Sequence, residues 1–369
     1  MRVLLVPTTE GYGHASRAAA IISGLANWGV DYAVLTDQKR ANFLVANGVD
    51  PAKIDSSFFG VQYVYTGAGK DLDLPRTLVN LVRDAPKYFR DYWKVVEKTS
   101  GPEKYDLVIN DINLQLLRLP TANVITPFHS NPPRCAKDHR RIRREGRAIV
   151  SEYCVEPAVN AATFFARKFR MDFRPHHIDC ERIFPPVISD VARGESEIRR
   201  ELGIGANDVL ILDGRGKPQV DVYAKIASEF DDVYFLVRSK EARSDNIRTM
   251  EFIPRMVNYI NAADLFVTDT GFTSISEGAI TKTPMLFADP GSHLEGHKNF
   301  SCAIDEGFGQ AIGNLGDDLL QGIEGKVPRN TVDIPNGLPF LMEKIMACKR
   351  TVKSSPPPAE FSCKAWPAL

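Results

Sequence analysis

Apolar residues gather first in a run from Val3 to Pro7, then recur at Ala18, Ile21, Ile22 and Leu25, the three-and-four spacing of one helical face. Gly11 and Gly13 separate the two patterns, so the opening reads as strand from Arg2, glycine turn and amphipathic helix. Val30 to Thr36 supplies the next strand. Helical spacing over Leu78 to Lys98 and apolar runs at Leu107 to Asn110 and Val124 to Thr126 continue the alternation, which is that of βα units on a parallel sheet. Paired prolines in Ile183-Phe-Pro-Pro-Val-Ile-Ser-Asp-Val191 break the pattern, and it restarts near Glu195. The second half runs through a strand at Val209 to Leu212, the turn Asp213-Gly-Arg-Gly216, a helix ending at Phe230 and a strand at Val233 to Val237. Phe252 follows, then strands at Leu265 to Thr268 and Met285 to Phe287. This predicts an α/β chain of two doubly wound domains, 1–190 and 191–336. A helix over 337–352 is expected to return to the first domain, and the tail 353–369 carries no periodic pattern.

A length of 369 residues suits two domains of ordinary size. Lys plus Arg and Asp plus Glu both count 46, so no global field favours nucleic acid, and any polyanion contact must be local. The first strand pattern meets Gly11 before a signal-peptide core or spanning helix can form, which predicts a cytoplasmic location. Cysteines at 135, 154, 180, 302, 348 and 363 form no Cys-x-x-Cys pair and read as reduced thiols.

The candidate chemistry lies at the ends of strands. Gly11-x-Gly13 lets a backbone approach a ligand, and His14 then stands at a helix N-terminus, which favours the neutral imidazole that a general base requires. Asp111, closing the Tyr105 to Asn110 run, falls at the carboxyl edge of a parallel strand, where a carboxylate can orient the imidazole. In the second half, Asp269-Thr-Gly271 forms a turn after a buried strand, and Phe272-Thr-Ser274-Ile-Ser-Glu277 opens a helix. Backbone N–H groups from Gly271 to Ser274, with the hydroxyls of Thr273 and Ser274, suit a diphosphate, and Glu277 suits ribose hydroxyls. Simple helix capping by His14, turn capping by Asp111 and a Ser274-x-x-Glu277 capping box are the competing readings, and both sets stand at this point.

The flanking sequence is more specific. Phe252-Ile253-Pro-Arg-Met256-Val-Asn-Tyr-Ile-Asn-Ala-Ala263-Asp264, followed by Gly271, Ser274 and Glu277, resembles the donor-binding half of GT-B glycosyltransferases. Together with the N-terminal Gly-x-Gly-His it is similar to the family of the bacterial peptidoglycan N-acetylglucosaminyltransferase and to archaeal UDP-sugar glycosyltransferases. That resemblance implies a GT-B fold, two Rossmann-like domains with parallel sheets facing across a cleft. It implies inverting, metal-independent transfer from a UDP-sugar to a hydroxyl acceptor, lipid-linked or a small molecule, with no cofactor beyond the donor. It also implies roles: His14 as base supported by Asp111; the Ile253 backbone on uracil beside Phe252 and Met256; the Gly271, Phe272, Thr273 and Ser274 turn on diphosphate; Glu277 on ribose. Asp213-Gly214-Arg215-Gly216 matches the glycine loop that opens the second domain, and Gly11 and Gly13 that of the first. Glu295, His297 and Asn299 fall where the donor sugar is held, with Gly296 in place of the usual glutamine.

Other motifs carry less. Gly67-Ala-Gly-Lys70-Asp71 lacks the Ser or Thr and the first glycine of a phosphate loop, and Asp71-Leu-Asp73 reads as a solvated loop rather than a metal site. His176-His177 and the pair His293 and His297 lack further ligands, so no metal is expected. Seven Lys or Arg lie between Arg134 and Arg147, with Arg140, Arg143, Arg144 and Arg147 on one helical face, suited to peripheral contact with an anionic membrane. Gly-Tyr-Gly-His-Ala-Ser-Arg17 also resembles the UDP-sugar hydrolase of pseudaminic-acid biosynthesis, which makes hydrolysis the rival activity and nucleotide-sugar binding without turnover the third.

Overall fold

The computed structural model describes residues 1–9, 11–60, 64–66, 71–100, 105–111, 123–125, 186–240, 244–290, 294–331 and 333–352. In the first half, β1 (Arg2–Pro7), β2 (Asp31–Leu35), β3 (Ile54–Asp55), β6 (Leu107–Asp111) and β7 (Asn123–Ile125) form a parallel sheet in the order β3-β2-β1-β6-β7. A sheet covered on both faces needs strands that are apolar throughout, and Val3 to Val6 are all but wholly buried. Helix α1 (Gly13–Asn27) covers one face with Ala18, Ile21, Ile22 and Leu25, and α2 (Gln38–Ala46) adds Leu44. On the other face α3 (Leu74–Ser100) packs Tyr92, Val95 and Val96 against Leu4, Val6 and Val108.

The second sheet is parallel as well, in the order β10-β9-β8-β11-β12-β13: β8 (Val209–Asp213), β9 (Val233–Val237), β10 (Ile247–Thr249), β11 (Leu265–Thr268), β12 (Met285–Phe287) and β13 (Gln310–Ala311). On one face, α4 (Glu195–Leu202), α6 (Met256–Ala262), α7 (Phe272–Thr281) and α8 (Leu294–Asp305) enclose a core around Phe266 and Phe287. On the other, α5 (Val220–Glu229) and α9 (Leu315–Ile323) enclose Tyr223 and Phe235.

The chain then returns. The Gly337 N–H donates to the Pro186 carbonyl at 2.8 Å, which sets the two crossings between the halves side by side. Helix α10 (Leu338–Val352) inserts Leu338, Leu341, Met342 and Ile345 into the core of the first half. Gly24 of α1 permits that approach, since a Cβ there would lie 2.9 Å from the Met342 sulfur.

Three local readings change. Asp71 and Leu72 form strand β5, which pairs antiparallel with β4 (Tyr65–Thr66) where a solvated loop is expected from sequence. Helix α3 then starts at Leu74, four residues before Leu78, with the carboxylate of the preceding Asp73 accepting the Arg76 N–H at 3.1 Å, and Pro86 lies inside the helix. The edge strands β10 and β13 are too short to leave a periodic signal. The tail from 353, His176, His177, His293 and the Arg134 to Arg147 stretch lie outside the described residues, so the expected membrane contact through Arg140, Arg143, Arg144 and Arg147 has no counterpart among them. No helix of the described residues is long and apolar enough to cross a membrane.

Candidate active site at the domain seam

Strands β1 and β6 end together, with Pro7 opposite Asp111 and the Thr8 N–H donating to the Asp111 carbonyl at 3.1 Å. Carboxyl ends of parallel strands open onto the crevice of such sheets. Gly11 adopts φ +59°, a left-handed turn that an L side chain disfavours, and α1 begins two residues later without a side-chain cap. His14 therefore occupies the first turn, its Nδ1 3.1 Å from Asp111 Oδ2. Arg17, three residues along the same helix, sets its Nε 3.2 Å from that oxygen and a terminal nitrogen 3.1 Å from His14 Nδ1. Asp111 and Arg17 are buried, while the His14 side chain keeps 17% of its surface exposed at the rim. The guanidinium is a permanent cation and compensates the buried carboxylate. Nδ1 thus has two partners: Arg17, which can only donate, suits the tautomer with a bare Nδ1, and Asp111 suits the tautomer with Nδ1–H, in which Nε2 is a proton acceptor.

The opposing wall comes from the second half. Helix α7 starts at Phe272 with Gly271 as N-cap and no side-chain cap, so Ser274 is its third residue and the Ser-x-x-Glu capping box does not form. Glu277 instead turns into the seam. It is 2% exposed, and its Oε1 accepts from the Ser16 hydroxyl of α1 at 3.2 Å. Burial pushes its carboxyl up to about 7, against the opposing pull of the Ser16 hydrogen bond. The Thr273 hydroxyl donates to the Gly13 carbonyl at 3.3 Å, and a Cβ on Gly13 would come within 2.9 Å of that hydroxyl oxygen. Two helix N-termini, one from each domain, thus meet at one point, each carrying the positive end of a helix dipole.

The remaining candidates surround this junction unevenly. Ile253 is buried and Phe252 sets its ring edge-on to Phe43 of the first half, centroids 4.9 Å apart. Met256 opens α6 below Gly214, where a Cβ would strike Phe266 at 2.7 Å. Gly216 is exposed. Arg215 turns inward: its guanidinium donates twice to Asp213 at 2.9 Å and to the Tyr223 hydroxyl at 2.6 Å, and its backbone N–H also donates to Asp213 at 2.9 Å. Asn299 of α8 donates to the Thr270 carbonyl at 3.1 Å and braces the turn before Gly271, whereas His297 on that helix is exposed and Glu295 lies in its first turn.

Arg17 is one participant the sequence argument did not assign, although its spacing of three from His14 on a helix is a usable signal. Tyr12 is another. Its ring stacks on Phe43 at 5.1 Å, and three cations approach it: Lys39 at 5.1 Å, Arg40 at 5.8 Å and, from the second half, Arg238 at 5.5 Å. Arg40 pairs with Asp37 at 3.0 Å, while Lys39 and Arg238 meet no carboxylate among the described residues. Beside them Arg255, in the left-handed region at φ 46°, donates its N–H to Asn47 Oδ1 across the seam at 2.8 Å.

No family model matches the chain. An uncharacterized glycosyltransferase of Methanopyrus kandleri is 26% identical over 148 residues, 36% of this chain and 43% of the relative, so the match spans under half the length of that curated relative. Among solved structures, the spinosyn forosaminyltransferase SpnP superposes with a TM-score of 0.56 at 14% identity, over 96% of this chain and 95% of that one. The glycosyltransferase SnogD of Streptomyces nogalater gives 0.56 at 14%, over 94% and 99%. The glycosyltransferase VinC in complex with dTDP gives 0.56 at 12%, over 96% and 100%. At these identities the likeness is one of fold: the chain has the GT-B fold, two Rossmann-like domains facing across a cleft.

Proposed function

We propose that the chain is an inverting, metal-independent glycosyltransferase that moves a sugar from a UDP-sugar to an acceptor hydroxyl. The observation that carries this reading is the opposition at the seam. A histidine with a carboxylate on its Nδ1 lies on one wall, and an uncapped helix N-terminus with a buried carboxyl lies on the other. In the proposed step His14 Nε2 takes the acceptor's proton as its oxygen attacks the anomeric carbon, and the bond to the β-phosphate oxygen breaks to release UDP. Asp111 holds the imidazole tautomer and stabilises the imidazolium. The Gly271 to Ser274 end of α7 and the N-terminus of α1 stabilise the departing diphosphate. Glu277 is assigned to the ribose hydroxyls, the Ile253 backbone and Phe252 to the base, and Glu295, His297 and Asn299 to the sugar.

The dTDP complex of VinC supports a pyrimidine nucleotide and leaves the ribose as the question. Calorimetry with UDP and with dTDP, on the wild type and Glu277→Ala, decides it. UDP binding at least tenfold tighter than dTDP, lost in the variant, supports the assignment; preference for dTDP overturns the UDP donor while keeping glycosyl transfer. The hydrolytic reading draws on one observation, Arg17 reaching both His14 and Asp111 as the Gly-x-Gly-His-x-x-Arg resemblance implies. Free sugar released from the donor in the absence of any acceptor, abolished by His14→Ala, would favour it.

A further inference from the structure

The seam between the domains is shut, and the contacts that shut it fall on groups that the proposed mechanism gives to the donor. Glu277, given to the ribose hydroxyls, is 2% exposed and already accepts a hydroxyl hydrogen, that of Ser16, at 3.2 Å. Thr273, given to the diphosphate, already donates its hydroxyl to the Gly13 carbonyl at 3.3 Å. Phe252, given to the base, sets its ring edge-on to Phe43 at 4.9 Å. Two residues beyond Ile253, the Arg255 N–H donates to Asn47 Oδ1 at 2.8 Å. All four partners belong to the first domain, Gly13 and Ser16 to the start of α1, Phe43 and Asn47 to the end of α2.

The polarity of these contacts is that of a nucleotide. A ribose hydroxyl donates to a carboxylate, as Ser16 does. A phosphate oxygen accepts from a hydroxyl, as the Gly13 carbonyl does. A pyrimidine offers carbonyl oxygens on an aromatic ring, and Asn47 with Phe43 supplies both features. A donor entering the seam therefore exchanges one set of hydrogen bonds for another of the same sense. The shut form has one weakness, because α1 and α7 turn the positive ends of their dipoles on each other with no side-chain cap on either. A diphosphate between those ends relieves a field that a single carbonyl leaves largely in place. The seam is thus held by contacts the donor can replace and opposed by a charge the donor can satisfy.

We propose that the empty chain shuts itself with a partial imitation of its own donor, so that Ser16 and Asn47 compete with the nucleotide and hold its apparent affinity below that of the open site. This rests on the assignment of the α7 wall to the donor.

The shut seam is tested first without nucleotide. A Cβ on Gly13 would lie 3.4 Å from the Thr273 Cβ, close to the separation a disulfide needs. The full chain carrying Gly13→Cys and Thr273→Cys should form that crosslink on mild oxidation, located by peptide mapping, and UDP should slow its formation. The crosslinked chain should bind no UDP in calorimetry, and reduction of the same sample should restore binding. Ser16→Ala, which keeps a good helix former on α1, should tighten UDP by about fivefold, Asn47→Ala by about threefold, and the pair by roughly tenfold or more. In a Glu277→Ala chain the hydroxyl has no carboxyl to compete for, and Ser16→Ala should change UDP affinity by less than about twofold. An empty chain that does not crosslink, or a crosslinked one that binds UDP as the reduced one does, would overturn the proposal. So would Ser16→Ala that weakens UDP binding, because Ser16 would then be an ordinary donor contact. A crosslink that forms in a chain whose UDP affinity is indifferent to Glu277→Ala overturns the ribose assignment, and the competition with it.

Discussion

The two walls of the seam share a plan and differ in how they satisfy their polar groups. Each sets an uncapped helix N-terminus after a glycine at the end of a parallel strand. On the α1 wall, a permanent cation and a carboxylate enclose the histidine, so the charges compensate one another within the domain. On the α7 wall, Glu277 pairs with no cation among the described residues; its carboxyl accepts from Ser16 of the other domain, and burial lifts it to about 7. One wall is a charged, preorganised triad suited to moving a proton. The other is a buried carboxyl whose charged form is disfavoured. The same backbone scaffold therefore carries a compensated charge cluster on one side and an unpaired carboxyl on the other, the difference on which the proposed division into chemistry and recognition rests.

Substitutions that separate the walls should separate kcat from donor affinity. The largest effect is expected from His14→Ala: turnover falls by about 10²- to 10⁴-fold while UDP affinity measured by calorimetry stays within a fewfold. Asp111→Ala strands the buried Arg17 and should cost about 3–5 kcal/mol in urea unfolding, whereas Asp111→Asn should keep the fold and lose activity. On the opposite wall Glu277→Ala should weaken UDP by about 10²-fold, as expected for losing two hydrogen bonds to a carboxylate, and leave the turnover of saturated enzyme comparatively intact.

The raised Glu277 carboxyl gives a signed pH prediction. The folded state favours the protonated form, so this group's contribution to stability falls as pH rises from 4.5 to about 7 and is level above. Glu277→Gln removes the dependence and should be the more stable protein at pH 8, by at most about 3 kcal/mol in thermal melts. Ribose hydroxyls donate to the charged carboxylate, so UDP affinity should rise with pH through 7, with proton release seen as buffer-dependent binding heats. The smallest effect sharpens the geometry. Gly13→Ala places a methyl 2.9 Å from the Thr273 hydroxyl, so it should weaken donor binding severalfold, and Thr273→Ala in the same chain should restore part of that loss.

Both glycine turns and the alternation of strands and helices were legible in the sequence, because strand, turn and helix starts are written in neighbouring residues. What only the folded chain supplies is pairing across distance. Ser16 with Glu277, Gly13 with Thr273, and Phe43 with Phe252 join residues more than 200 positions apart, and no local pattern encodes such a partner. The capping-box ambiguity at Ser274 turned on where α7 begins, a matter of one turn that composition does not fix. Arg215 sits in a loop that reads as phosphate-binding, yet the buried Asp213 at the strand end requires a counterion and takes it. On α3 the basic and apolar positions are both visible in the sequence, but which face the sheet covers is decided by packing.

The return of α10 carries a consequence for how the molecule is made. Because Leu341, Met342 and Ile345 fill the first domain's core, that core stays incomplete until α10 has left the ribosome, well after the second domain's strands. The second domain, continuous between the two crossings, holds all its core-forming strands by then and can close earlier. The usual order of synthesis, in which the amino-terminal unit folds first, is thereby reversed, and the wall that carries His14 is the last part of the seam to acquire a fixed place.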